Sequence, residues 1–123
     1  MEDDDEGSIQ CKVILLGETG VGKTGLIARF INNSFEDNIT STTGASYAGK
    51  TMTFDEYDGK SIKFEIWDIA GQEKYRSFAK IHYKDAKVAI LVYDITRKES
   101  FEELQKYWIE QIRQFAPKNI SML

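Results

Sequence analysis

The chain has 123 residues, 41% of them hydrophobic and 29% charged, which is enough for one domain around one core and too little for two. Its formal net charge of −4 comes from the acids Glu2, Asp3, Asp4, Asp5 and Glu6; the remainder is close to neutral and has no basic excess for a nucleic-acid surface. The single cysteine, Cys11, excludes an internal disulfide and points to a reducing, cytoplasmic compartment, and the longest apolar run, Val88 to Tyr93, falls far short of the roughly 18 residues of a bilayer span.

Residues 1–8 read as an acidic, solvated, disordered tail, with a docking tail as the less economical alternative, and residues 9–123 as one folded domain. From Cys11 the run Val13, Ile14, Leu15, Leu16 is unbroken, the pattern of a strand buried on both faces, which makes Cys11 a strand thiol in preference to a reactive one. A glycine-rich turn, Gly17 to Gly22, follows. From Lys23 the apolar residues Leu26, Ile27, Phe30 and Ile31 recur at helical spacing until Asn32, Asn33 and Ser34 break the pattern. Residues 39–49 are rich in Thr, Ser and Gly and read as a mobile loop entering a strand. The alternation of Ile62, Phe64 and Ile66 with Lys63, Glu65 and Trp67, preceded by Asp58-Gly59, predicts a hairpin with the run through Met52 and Phe54. Between Phe54 and Tyr57 the alternation slips by one residue, which suggests a bulge.

Beyond Gly71 a polar, helical stretch is expected to about Lys84, then a second buried strand from Lys87 to Tyr93. Ser100 and Glu103 fit a capping box; Phe101, Leu104, Trp108, Ile112 and Phe115 step by three or four, and Pro117 closes that helix. Ile120 to Leu123 looks like the opening of another strand.

The chemistry concentrates at two places. Gly17-Glu18-Thr19-Gly20-Val21-Gly22-Lys23-Thr24 matches G-x-x-x-x-G-K-[ST], in which a curled backbone turns N–H groups toward phosphate oxygens, between a strand and a helix as the pattern requires. Lys23 would reach the β and γ phosphates, Thr24 would hold magnesium through its hydroxyl, and the helix dipole adds to the anion site. The nucleotide-binding set expected in this run is Gly17, Thr19, Gly20, Val21, Gly22, Lys23, Thr24 and Gly25. The second place is Asp68-Ile69-Ala70-Gly71-Gln72 at a predicted strand end. Asp68 can approach magnesium opposite Thr24, Gly71 can offer its N–H to the terminal phosphate, and Gln72 can orient an attacking water.

GETGVGKT, STTG, WDIAGQEKYRSF and AILVYDIT, in that order, resemble the Ras superfamily and most closely its Rab branch, over residues 11–123. The resemblance implies an α/β fold of the P-loop NTPase type: a Ras-like G domain with a mostly parallel sheet of six strands, one antiparallel hairpin between its second and third strands, and an incomplete C-terminal side. It implies that Phe35 edges against the guanine ring, that Thr42 coordinates magnesium and senses the γ-phosphate, and that Gln72 positions water. Metal ligands are then Thr24, Thr42 and Asp68. It implies a GTP-binding switch that hydrolyses GTP to GDP with magnesium, regulates vesicle traffic, and meets exchange factors, activating proteins and effectors. Tyr47 and Trp67 match two positions of an aromatic effector surface, and His82 stands at the third, usually Tyr; it is either structural or a pH-sensitive variation.

Three departures are small: Thr43 replaces an apolar residue, Ile69 replaces Thr, and Asp58-Gly59 arrives late. A larger one is that neither the Asn-Lys-x-Asp nor the Ser-Ala-Lys guanine-reading motif, nor the prenylation cysteines that would attach a longer form to a membrane, occurs in these residues. The alternatives are a regulatory binding module that no longer cycles and a P-loop ATPase. No Arg lies between Asn32 and Gly71, so an arginine from a partner is expected. With only the start of a fifth strand present, the edge from Val88 to Tyr93 is expected to lie open and to promote self-association.

Overall fold

The computed structural model describes residues 9–18, 20–32, 45–69 and 81–123. The acidic tail, Thr19, residues 33–44 and residues 70–80 lie outside the described residues, and with them most of the helix expected before Lys84. The elements follow one another as β1 (Ile9–Leu16), α1 (Lys23–Asn32), β2 (Ala45–Phe54), β3 (Lys60–Ile69), β4 (Val88–Leu91), α2 (Lys98–Glu103), a π-helical segment (Leu104–Trp108), α3 (Ile109–Phe115) and β5 (Ser121–Met122). The strands form one sheet in the order β2-β3-β1-β4-β5, parallel throughout except for the β2–β3 pair. This is the expected α/β architecture, with five strands among the described residues where the resemblance implied six.

β1 starts at Ile9, two residues before Cys11, with Ile9 and Gln10 exposed, and is buried from Val13 to Leu16. Cys11 sits on it as a half-buried thiol whose pKa is raised, chiefly by burial, against the opposing pull of Lys87. A raised pKa keeps the thiol protonated and supports the strand reading over the reactive one.

The hairpin is present, but the bulge is not. β2 and β3 pair without a slip from Ala45↔Ile69 to Phe54↔Lys60. The phase break falls in a 3₁₀ turn, Asp55–Tyr57, outside the ladder, and the left-handed Asp58 (φ 61°) and Gly59 (φ 69°) then return the chain. The strand also begins earlier than expected: residues 45–49 belong to β2, not to a loop. Lys50 on β2 donates from Nζ to the carbonyl of Phe30 at 2.6 Å, with its ammonium 4.7 Å from the Phe30 ring centroid. A cation thereby meets the carbonyl end of α1, where the helix dipole favours it.

Ile81 and His82 form a short 3₁₀ turn and Asp85 takes a left-handed φ of 63°, so the chain is not α-helical as it approaches Lys84. β4 is shorter than its apolar run because its ladder with β1 ends at Leu16↔Leu91, with one further bond from Val92 N–H to Leu16 O.

The capping box is also corrected. The helix starts at Lys98 after an extended Arg97, which places Ser100 inside the first turn, fully buried. The cause lies upstream: Asp94 Oδ1 accepts from Thr96 N–H and Thr96 Oγ1, Arg97 N–H donates to Asp94 O, and the turn starts the helix early. Ser100 therefore takes the core-side place that periodicity had assigned to Phe101, which is 42% exposed; Leu104, Trp108 and Ile112 carry the buried stripe. Ala116 is extended, as a residue before proline prefers, and ends the helix.

The edge of β4 is not open. β5 pairs with it in parallel through Ser121 N–H to Lys87 O, Leu123 N–H to Ala89 O and Leu91 N–H to Leu123 O, at 2.9–3.0 Å. Three residues saturate the main chain from Lys87 to Leu91, so the premise for self-association through that edge is withdrawn.

The sheet divides the core in two. Ile14, Leu16, Ile69 and Ala89 point to one face and pack with Tyr83, Leu104, Trp108 and Ile112; Val13, Leu15 and Ile66 point to the other, toward Ile27 and Phe30 of α1. Among the described residues, no helix is long and apolar enough to cross a membrane.

Candidate functional site

β1 and β3 run parallel with Leu15 beside Asp68, so their carboxyl ends reach the same edge of the sheet, which is where ligands bind in open α/β folds. β1 gives way there to Gly17. A Cβ on Gly17 would stand 2.3 Å from the Val92 carbonyl oxygen, so the close approach of the loop to the chain leaving β4 requires glycine. Gly22, at φ 105° with open space where a side chain would be, turns the chain into α1, whose first bond runs from Leu26 N–H to Gly22 O at 3.0 Å.

Lys23 is the first residue of α1, and its side chain folds back over the loop. Its Nζ donates to the carbonyls of Gly17 and Glu18, each at 3.0 Å, and the residue is only 5% exposed. The loop thus holds an ammonium at its centre, beside the N-terminal end of a helix. Val21 is half-buried and Gly25 buried at the same end, and Gly20 is exposed at φ 86°.

Asp68 is completely buried one strand away, flanked by Leu15 on β1 and Ser46 on β2. A buried carboxylate at a strand end, with the hydroxyl-bearing Thr24 on the first turn of the neighbouring helix, is the hard-oxygen chemistry that suits magnesium, which keeps most of its shell for waters and phosphate. The donor set therefore fits the ion that the motif implies. Of the expected site residues the structure brings together Gly17, Gly20, Val21, Gly22, Lys23, Gly25 and Asp68 at one end of the sheet. Thr24 joins them by its backbone. Thr19, Phe35, Thr42, Gly71 and Gln72 lie outside the described residues.

A second constellation lies on the outer strands. Tyr47 on β2 and Trp67 on β3 are cross-strand partners with ring centroids 4.9 Å apart, and His82 lies 5.0 Å from Trp67 on the other side. The three positions that the resemblance singled out form one continuous aromatic row, with Tyr47 48% exposed. Partial burial holds the His82 pKa below its ordinary value, and the positive charge of Lys12 adds to the effect. Lys12 itself donates to the Lys84 carbonyl at 2.7 Å.

Sequence reasoning missed Arg97. It arrives from the β4–α2 connection and bonds Glu18 inside the glycine-rich loop. Glu18 was the available signal: an acid among groups arranged for phosphate needs a cation nearby.

The geometry defines a phosphate-loop α/β domain. A sequence model of the Ras family matches residues 12–123. Over 111 residues the chain is 47% identical to the Ras-related protein Rab-22A of Homo sapiens, covering 90% of this chain and 55% of that protein. It is 43% identical over 114 residues to the Ras-related protein Rab-31 of Rattus norvegicus (92% and 56% covered) and 44% identical over 113 residues to the GTP-binding protein ypt5 of Schizosaccharomyces pombe (92% and 52% covered). The chain belongs to the Ras family, on its Rab-like side, and its fold is the Ras-like G domain. It spans about half the length of these relatives.

Proposed function

We propose that this chain provides the phosphate- and magnesium-binding part of a GTP-binding switch that hydrolyses GTP to GDP and acts in vesicle traffic. The observation that carries the reading is the buried Lys23 ammonium, held by the carbonyls of Gly17 and Glu18 at the shared edge where Asp68 ends its strand. The relatives' names support the nucleotide and the Rab character.

Lys23 serves as counter-charge to phosphate oxygens, and the loop amides and helix end add donors without a reorganisation cost. Asp68 and the Thr24 hydroxyl would hold magnesium, which when bound neutralises charge on the phosphates. Thr42 would complete the metal set, Phe35 would contact the base, and Gly71 would offer an N–H to the terminal phosphate. Gln72 orients the attacking water, a contact used only in the transition state. The row Tyr47, Trp67 and His82 presents the surface for effectors, while exchange factors and activating proteins act on the nucleotide site. A cytoplasmic location with membrane attachment through lipidated cysteines completes the reading.

Titration with fluorescently labelled GDP and GTP in magnesium tests the site. Lys23→Ala should weaken binding by at least about a hundredfold, because a phosphate cluster loses its main buried counter-charge. Binding by this variant equal to that of the unaltered chain would overturn the assignment. Gln72→Leu, in the chain extended to a full domain, should slow single-turnover phosphate release with binding almost unchanged.

A further inference from the structure

The connection between β4 and α2 is built to hold one side chain in place. Asp94 Oδ1 accepts from Thr96 N–H at 2.9 Å and Thr96 Oγ1 at 2.7 Å, and Arg97 N–H donates to Asp94 O at 2.9 Å. The fully buried Ser100 closes the turn: its Oγ accepts from Asp94 N–H at 2.9 Å and donates to Arg97 O at 2.7 Å. The main chain on both sides of Arg97 is therefore tied down before its side chain is considered.

That side chain reaches across to the phosphate loop. Arg97 Nη2 donates to Glu18 Oε1 at 2.7 Å, Nε lies 3.3 Å from Glu99 Oε2, and Nη1 stands 3.6 Å from where a side chain on Gly20 would begin. The guanidinium thus lies against the second and fourth residues of the loop. The parallel pairing of β1 and β4, continued by Val92 N–H to Leu16 O, is what brings the two connections together. Glu18 links the two cations: its carboxylate is held by Arg97, and its main-chain carbonyl accepts from Lys23 Nζ at 3.0 Å.

We propose that Arg97 is a positioning residue of the phosphate loop: through Glu18 it holds the loop segment whose carbonyl orients Lys23, and it thereby slows the release of a nucleoside diphosphate or triphosphate. The proposal rests on the nucleotide-binding reading of the same loop. Arg97 acts through Glu18 and carries no catalytic step. The ion pair is partly open to solvent, at 36% and 23% side-chain exposure, so its expected worth is about fivefold in rate, near the ~1 kcal/mol upper end for such pairs.

The test is a double-mutant cycle on the full chain with Arg97→Ala, Glu18→Ala and both together, plus Arg97→Lys. Two readouts are taken: dissociation of fluorescently labelled GDP in magnesium, and hydrogen exchange at the amides of residues 17–23 without nucleotide. Each single replacement should speed dissociation about fivefold and raise exchange in the loop. The double variant should do no more than either single one, and Arg97→Lys should recover part of the loss because it keeps the charge but not the fork. Strictly additive effects, or unchanged exchange and dissociation in both singles, overturn the proposal. So does a variant that lowers only the melting temperature, since a merely structural pair would do that. Failure of the nucleotide reading is separately visible, because labelled GDP would then bind Lys23→Ala as well as the unaltered chain while the exchange cycle still decides the clamp.

Discussion

The two faces of the sheet carry equally apolar residues and are closed very differently. On one face Ile14 and Leu16 lie with Ile69, Ala89 and Tyr83 under the helical rod, and Trp108, Ile14, Leu16, Tyr83 and Ala89 are all fully inaccessible. On the other, Val13, Leu15 and Ile66 are covered among the described residues by α1, and a cavity of about 520 Å³ opens between them and Leu26, Phe30, Met52 and Leu123. Parallel strands are apolar on both sides because both sides are normally packed, so the strand sequence contains no signal for which face is sealed. Stability should accordingly reside on the Trp108 face, while the α1 face has room to give.

The largest effect expected is from Trp108→Ala, which removes the biggest fully buried side chain and should cost about 3–5 kcal/mol in denaturant unfolding. Phe30→Ala, on the half-buried side, should cost about 1–2 kcal/mol, since less area returns to water and the neighbours already border open space. Equal losses from the two would break the comparison. Gly17→Ala falls between them: a methyl group 2.3 Å from the Val92 carbonyl at φ 150° forces the loop to move, at about 2–3 kcal/mol. That variant should also lose affinity for labelled GDP, because the loop that shifts is the one holding Lys23.

Leu26→Gln, at the rim of the open side and 51% exposed, should change stability by no more than about 0.5 kcal/mol. A loss comparable to Phe30→Ala would mean that the cavity is closed in solution.

The smallest effect is electrostatic. His82 has its folded-state pKa held below the ordinary 6.5 by burial and Lys12, so the unfolded chain binds the proton more readily. Its contribution to stability is present above pH 6.5 and is lost as the pH falls through the lower folded value. Urea midpoints of the unaltered chain and His82→Phe, compared at neutral and mildly acidic pH, should diverge only on the acidic side. A constant difference across that range would remove the titration from the account.

The glycine-rich turn between β1 and α1, the order of the described strands and of the helices at Lys23 and Lys98, the hairpin and the closing proline were legible in the residues themselves, because each rests on short-range chemistry. Glycine is needed where the chain curls or approaches another backbone, proline cannot continue a helix, and buried parallel strands show unbroken apolar runs. Where the reading failed, either a neighbouring turn or a distant strand partner had decided the outcome. The hairpin register ran true because the 3₁₀ turn of Asp55–Tyr57 absorbed the phase slip outside the ladder. The capping box gave way to a turn organised by Asp94, and the β4 edge was covered once Ser121 and Leu123 found main-chain partners on Lys87 and Ala89. Motif residues carry the proposal of what the site holds. Only the tertiary structure placed Arg97 against Glu18, aligned Tyr47, Trp67 and His82 in one row, and distinguished, among the described residues, the face sealed by Trp108 from the face bordered by the cavity, because those arrangements depend on side chains that meet across strands and loops far apart in the chain.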